Sequence, residues 1–120
     1  MEANNKYTWH KIAASIHEIN FAENGLTEVN INSKTICIAR HQDELFACTQ
    51  KCPHAGGIMA EGYIDAVGNI VCPVHRYKFN LDNGRNTSGE EYFLKTFPIE
   101  KRKEGVFVGI ESNNLFGAMK

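Results

Sequence analysis

An all-β sandwich or small barrel is the fold this sequence predicts, and three observations carry that expectation. From Thr27 onward apolar and polar residues alternate with period two, the period of a strand with one covered face. The apolar runs are short, and turn-forming residues separate them at regular intervals. No amphipathic stretch is long enough for a major helix. The 120 residues fit a single domain spanning 1–120, large enough for one real core.

Residues 9–12 are expected to form the first strand, and residues 15–20 a single helical turn. Val29 and Ile31, then Ile36 and Ile38, read as two strands joined by the turn Asn32-Ser33. Residues 45–49 follow the polar turn His41-Gln42-Asp43-Glu44. Two further runs, 69–72 and 77–81, precede the strong turn signal Asp82-Asn83-Gly84. Residues 94–99 and 106–110 close the chain, joined by a charged turn over 101–105.

Composition narrows function by exclusion. Thirteen Lys plus Arg against 14 Asp plus Glu leave a net charge of -1, with no electrostatic footprint for nucleic acid or anionic membrane. The N-terminal residues are polar and lack an apolar signal core, and no apolar run approaches the ~20 residues of a membrane span. A soluble, cytoplasmic protein is expected. In that setting four cysteines suggest metal ligation before disulfides.

Two loop-like segments break the strand pattern, and both open with Cys-Pro: Cys52-Pro53-His54-Ala55-Gly56-Gly57 and Cys72-Pro73-Val74-His75-Arg76-Tyr77. Each supplies one thiolate and one imidazole, as C-x-H and C-x-x-H, with 17 residues between the halves, room for two short strands. Such donors suit iron–sulfur clusters, zinc or copper and tell against magnesium or calcium. Zinc fingers tend to pair like with like within an arm, whereas each loop here mixes its donors. Two such loops facing each other can place both cysteines on one metal and both histidines on a second, an arrangement that fits a two-iron cluster. The prolines stiffen the loops, and Gly56 and Gly57 let backbone amides approach sulfur.

Cys52-Pro53-His54 with Cys72-Pro73-Val74-His75 resembles the Rieske-type [2Fe–2S] motif, and the surrounding chain resembles small Rieske ferredoxins over most of its length. The resemblance implies stacked antiparallel sheets with a two-loop cluster-binding tip, in residues of about 50–80. It implies Cys52 and Cys72 on an inner iron, and His54 and His75 on an outer, solvent-facing one. Respiratory Rieske proteins carry an extra cysteine in each loop, joined as a disulfide, where this chain has Gly57 and Val74. They also carry a serine donor to sulfide where Tyr77 stands here. Fewer donors to sulfur place the expected potential low in the Rieske range of about −150 to +300 mV. Replacing two thiolates by neutral imidazoles removes two negative charges, and ferric iron acidifies the free imidazole N–H, so the potential should fall as pH rises.

The expected role is one-electron transfer from a flavin reductase to an oxygenase, with no substrate site of its own. A rim of Ala55, Ile58, Met59 and Arg76 is expected to dock partners. The alternatives are the small subunit of an NADH-dependent nitrite reductase, which has the same fold, and a zinc-stabilised, non-redox binding module. Cys37 and Cys48 read as reduced, partly buried packing residues. A bond between them is conceivable across neighbouring strands but disfavoured in a reducing cytosol. His10, His17 and His41 read as surface residues, and Trp9, Phe97 and Phe107 as core.

Overall fold

The structure, a computed structural model, describes residues 7–53, 56–74, 76–87 and 93–111. Among the described residues ten strands form three small antiparallel sheets. The first has the order β1 (Tyr7–Ala13), β10 (Gly105–Glu111), β9 (Ile99–Arg102). The second runs β2 (Leu26–Ile31), β3 (Lys34–His41), β4 (Glu44–Thr49), β8 (Thr96–Phe97). The third is β5 (Tyr63–Ile64), β6 (Asn69–Val71), β7 (Lys78–Asn80). Single 3₁₀ turns at Ile16–Glu18 and Met59–Glu61 are the only helical elements among the described residues. Ser15 caps the first, its hydroxyl accepting from the His17 N–H at 3.2 Å.

Both hairpins of the second sheet are set by two-residue turns whose central residues have positive φ. These are Asn32 and Ser33 (52° and 69°) and Gln42 and Asp43 (53° and 67°). That backbone matches the right-handed strand twist, and Asn and Asp tolerate it better than most residues.

The second sheet is a shared wall. One of its faces meets β10 of the first sheet through Ile31, Ile36, Ile38, Ala47, Phe97 and Val108. The other carries Leu26, Cys37, Ala39 and Cys48 into a second apolar layer with Cys52, Met59, Ile70, Cys72 and Phe79. Residues 36–39 are therefore all buried, although the alternating pattern led us to expect one covered face. Cys37 is fully buried, not partly so.

Three further expectations need correction. Residues 94–99 are not one strand: Pro98 has no N–H to continue a ladder, and the chain passes from β8, paired with β4, to β9, paired with β10. The charged turn shortens accordingly, because β9 runs to Arg102. Trp9 and Phe107 are half-buried on the outer face of the first sheet. There the Arg102 guanidinium carbon lies 5.3 Å from the Trp9 ring centroid and 4.4 Å from that of Phe107. Phe97 does lie in the core, and His17 is exposed, while His10 and His41 are half-buried.

Candidate metal centre

β4 ends three residues before Cys52, and β6 ends immediately before Cys72, so each cysteine enters its loop from a strand anchored in the core. The loops close in the same way. The Cys52 N–H donates to the Gly57 carbonyl at 2.8 Å, and the Cys72 N–H donates to the Tyr77 carbonyl at 2.8 Å. Each bond spans five residues, so two turns of equal length present their opening cysteines alike. Gly56 donates back to the Cys52 carbonyl at 2.9 Å, and a Lys51–Ile58 bridge seals the first loop at its base. Among the described residues of the two loops, Gly56 (73°) and Arg76 (57°) have positive φ.

The two thiols meet. Cys52 is 3% exposed and Cys72 not at all, and their sulfurs are within hydrogen-bond contact. Burial pushes the Cys72 thiol above its ordinary value. The Val74 N–H, 3.4 Å from its sulfur, pulls the other way, the Cys52 thiol raises it further, and the Gly57 N–H again lowers it. The Gly57 donor crosses from the first loop to the second. Glycine is required there, since a Cβ on residue 57 would lie 2.8 Å from Cys72 Sγ and 2.8 Å from Val74 Cγ2. The Val74 donor was missed in the sequence, although Pro73, which lacks an N–H, makes residue 74 the first amide after Cys72 able to turn back on the sulfur.

His54, His75 and Ala55 lie outside the described residues. Among the described residues no three His, Cys, Asp or Glu side chains gather as a metal site, so Cys52 and Cys72 stand there as a pair. Of the expected rim, Arg76 is exposed and Ile58 half-buried, but Met59 is fully buried under the first loop and is no part of it. Val74, 38% exposed, lies beside Arg76 instead. Among the described residues that line a groove of 440 Å³ between Leu45, Leu81 and Phe97 there is no cysteine or histidine.

Buried paired sulfurs that accept backbone N–H bonds are the environment a thiolate-ligated cluster requires. Comparison with known proteins agrees with that chemistry. Residues 8–98 match the family model of the Rieske [2Fe-2S] domain. The ferredoxin component of a naphthalene 1,2-dioxygenase system from Pseudomonas aeruginosa is 23% identical over 99 residues, 82% of this chain and 92% of that one. A 3-phenylpropionate/cinnamic acid dioxygenase ferredoxin subunit from Photorhabdus laumondii is 25% identical over 62% of this chain and 72% of its own. Among solved structures, one of a reduced oxygenase with oxidised ferredoxin in carbazole 1,9a-dioxygenase matches with a TM-score of 0.70 and 26% identity, over 86% of this chain and 94% of that one. A Mycobacterium tuberculosis protein assigned as an NADH-dependent nitrite reductase small subunit shares the fold, with a TM-score of 0.74 and 20% identity over 88% of this chain and 97% of its own. With its three sheets, its two like-built cysteine loops and a family match over most of its length, the chain belongs to the Rieske [2Fe-2S] domain family.

Proposed function

We propose that this protein is a Rieske ferredoxin, carrying single electrons from a reductase to a terminal oxygenase. The observation that supports this most is the contact between the Cys52 and Cys72 sulfurs at the buried openings of two equivalent loops. In this reading Cys52 and Cys72 hold one iron of a [2Fe–2S] cluster, and His54 and His75 hold the other. The bound cluster supplies reversible uptake of one electron. The chain's own residues do the rest. The Gly57 and Val74 amides stabilise negative charge at Cys72 Sγ, and the apolar layer of Met59, Ile70 and Phe79 keeps water from beneath the sulfurs. His54 and His75 would hold or release a proton at their free ring nitrogens. Ile58, Val74 and Arg76 offer a mixed rim suited to brief partner contacts.

The oxygenase partner is inferred from the dioxygenase ferredoxins to which the chain is similar and from the oxygenase–ferredoxin structure. We read the whole of 1–120 as one domain, with the cluster part at about 50–80. Pairing of β1 with β10 supports this, since it ties residues beyond the family match to the first strand. A cytoplasmic location is supported by four cysteines that form no disulfide. No helix among the described residues is long and apolar enough to cross a membrane.

Electron paramagnetic resonance of the dithionite-reduced protein tests the assignment. A rhombic signal with average g below the free-electron value is expected, and it should vanish in Cys72→Ser. A colourless protein containing zinc and no iron would overturn the reading. The nitrite reductase reading is favoured by the fold match alone. Stable co-purification with a sirohaem subunit, in place of transient turnover with an oxygenase, would select it.

A further inference from the structure

Cys37 and Cys48 take no part in the proposed cluster site, yet they face each other across the β3–β4 ladder as Cα partners. The phase of that ladder matters. The two-residue turn closes on His41 and Glu44, so every second pair back from it exchanges both N–H···O bonds, at Ala39/Phe46 and then Cys37/Cys48. Bonds on the outer sides agree: Arg40 donates to the Gly25 carbonyl and Thr49 to the Lys95 carbonyl, as residues of the opposite phase should. Cα atoms of such a pair stand about 5.5 Å apart, within the disulfide range. Their Cβ atoms stand toward about 5.5 Å, against the roughly 3.5–4.5 Å of a relaxed disulfide, so a bond here is strained and readily reduced. Both side chains leave the sheet on the same face, into the layer that holds Cys52 and Cys72. Their thiols already hydrogen-bond each other, and neither is more than 2% exposed.

We propose that Cys37 and Cys48 form a reversible dithiol–disulfide couple behind the cluster loops, an oxidation site for peroxide. The reaction closes without a further reagent. One sulfur attacks hydrogen peroxide; an S–O bond forms as O–O breaks, giving a sulfenic acid and one water. The second sulfur then attacks the first; S–S forms, S–O breaks, and the second thiol proton leaves in another water. Two thiols are oxidised by two electrons, and one peroxide is reduced to two waters. Contact with Cys37, reinforced by burial, pushes the Cys48 thiol well above its ordinary range, so Cys48 answers to sustained oxidant, not to brief exposure. Bond formation draws the sulfurs to about 2.05 Å. Because Cys52 follows Cys48 by only four residues, the adjustment reaches the first loop directly.

The test uses the cluster-loaded protein, treated with hydrogen peroxide until its mass is constant, then denatured and alkylated with N-ethylmaleimide without reductant. Two of the four cysteines should escape alkylation, and tryptic peptides 35–40 and 41–51 should appear joined. Dithiothreitol should restore all four sites, and Cys48→Ser should leave no pair to close. Four alkylated cysteines at constant mass would overturn the proposal. So would a Cys48→Ser variant that loses two thiols as readily as the parent, since Cys52 and Cys72 would then be the responders.

Discussion

Gly57→Ala isolates the bond between the two loops. An alanine Cβ would sit 2.8 Å from Cys72 Sγ, about 1 Å inside an ordinary van der Waals contact, so the first loop must retreat by roughly that amount. A retreat of that size breaks the Gly57 N–H···Sγ bond, because directional hydrogen bonds do not survive an added ångström. Bonds to charged acceptors contribute about 1.5–3 kcal/mol, and if roughly half of this favours the more negative, reduced state, the loss is about 0.7–1.5 kcal/mol. For a one-electron couple, where 59 mV is a tenfold change, the potential should fall by about 30–65 mV. Redox titration followed by paramagnetic resonance measures it, with iron content confirming full loading. The double variant Gly57→Ala/Val74→Ala separates the two contacts, since it removes the clash with Val74 Cγ2 and keeps the one with sulfur. A single variant, fully loaded, whose potential stayed within about 10 mV of the parent would refute the reasoning. Recovery in the double variant would assign the effect to Val74 instead.

Voltammetry from neutral to alkaline pH should show the potential falling once His54 or His75 of the oxidised protein begins to deprotonate; a flat trace would contradict histidine ligation. A Gly57→Cys/Val74→Cys variant should form a cross-loop disulfide once the first loop yields to the same Cβ–sulfur contact, because a Cβ at 57 would start 3.3 Å from Val74 Cβ, just inside the usual disulfide spacing. Its signature is two fewer titratable thiols. Asp65 loses some of its advantage to burial, but N–H donors from Asn69 and Val67 and the charge of Lys78 hold its carboxyl below the ordinary value of 3.8. Its contribution is therefore complete above that value and lost as pH falls through the lower folded one. Asp65→Ala should cost about 1–2 kcal/mol at neutral pH by chemical denaturation, a difference that narrows in acid.

The strand signals that proved legible were local ones. Turn residues such as Asn32-Ser33 and Gln42-Asp43 fix hairpin register within a few residues, and the mixed Cys/His loops declare themselves by spacing. What stayed hidden depended on the other side of the molecule. Cys37 looks like the outward residue of an alternating strand until a second layer covers it. Trp9 looks like core until Gly109 provides a floor for its ring on an outer face and Arg102 a partner. Pro98 carried a readable signal, a residue unable to donate within a ladder, yet where the chain goes afterwards is decided by the Val108–Ile99 pairing. At the centre itself, the glycines at 56 and 57 signalled amides able to approach sulfur, but that the Gly57 N–H reaches Cys72, 15 residues away and in the other loop, is encoded by no local pattern.

Because β1 and β10 pair with Tyr7 opposite Glu111, the first and last described strands finish side by side at one end of the first sheet. A short flexible bridge between those positions would convert the chain into a ring that could be reopened elsewhere. The exposed Gln42–Asp43 hairpin tip, at the far end of β4 from Cys52, is a natural place for new ends. Such a rearranged chain would let a donor or acceptor enzyme be fused at a chosen place while both cysteine loops remain intact.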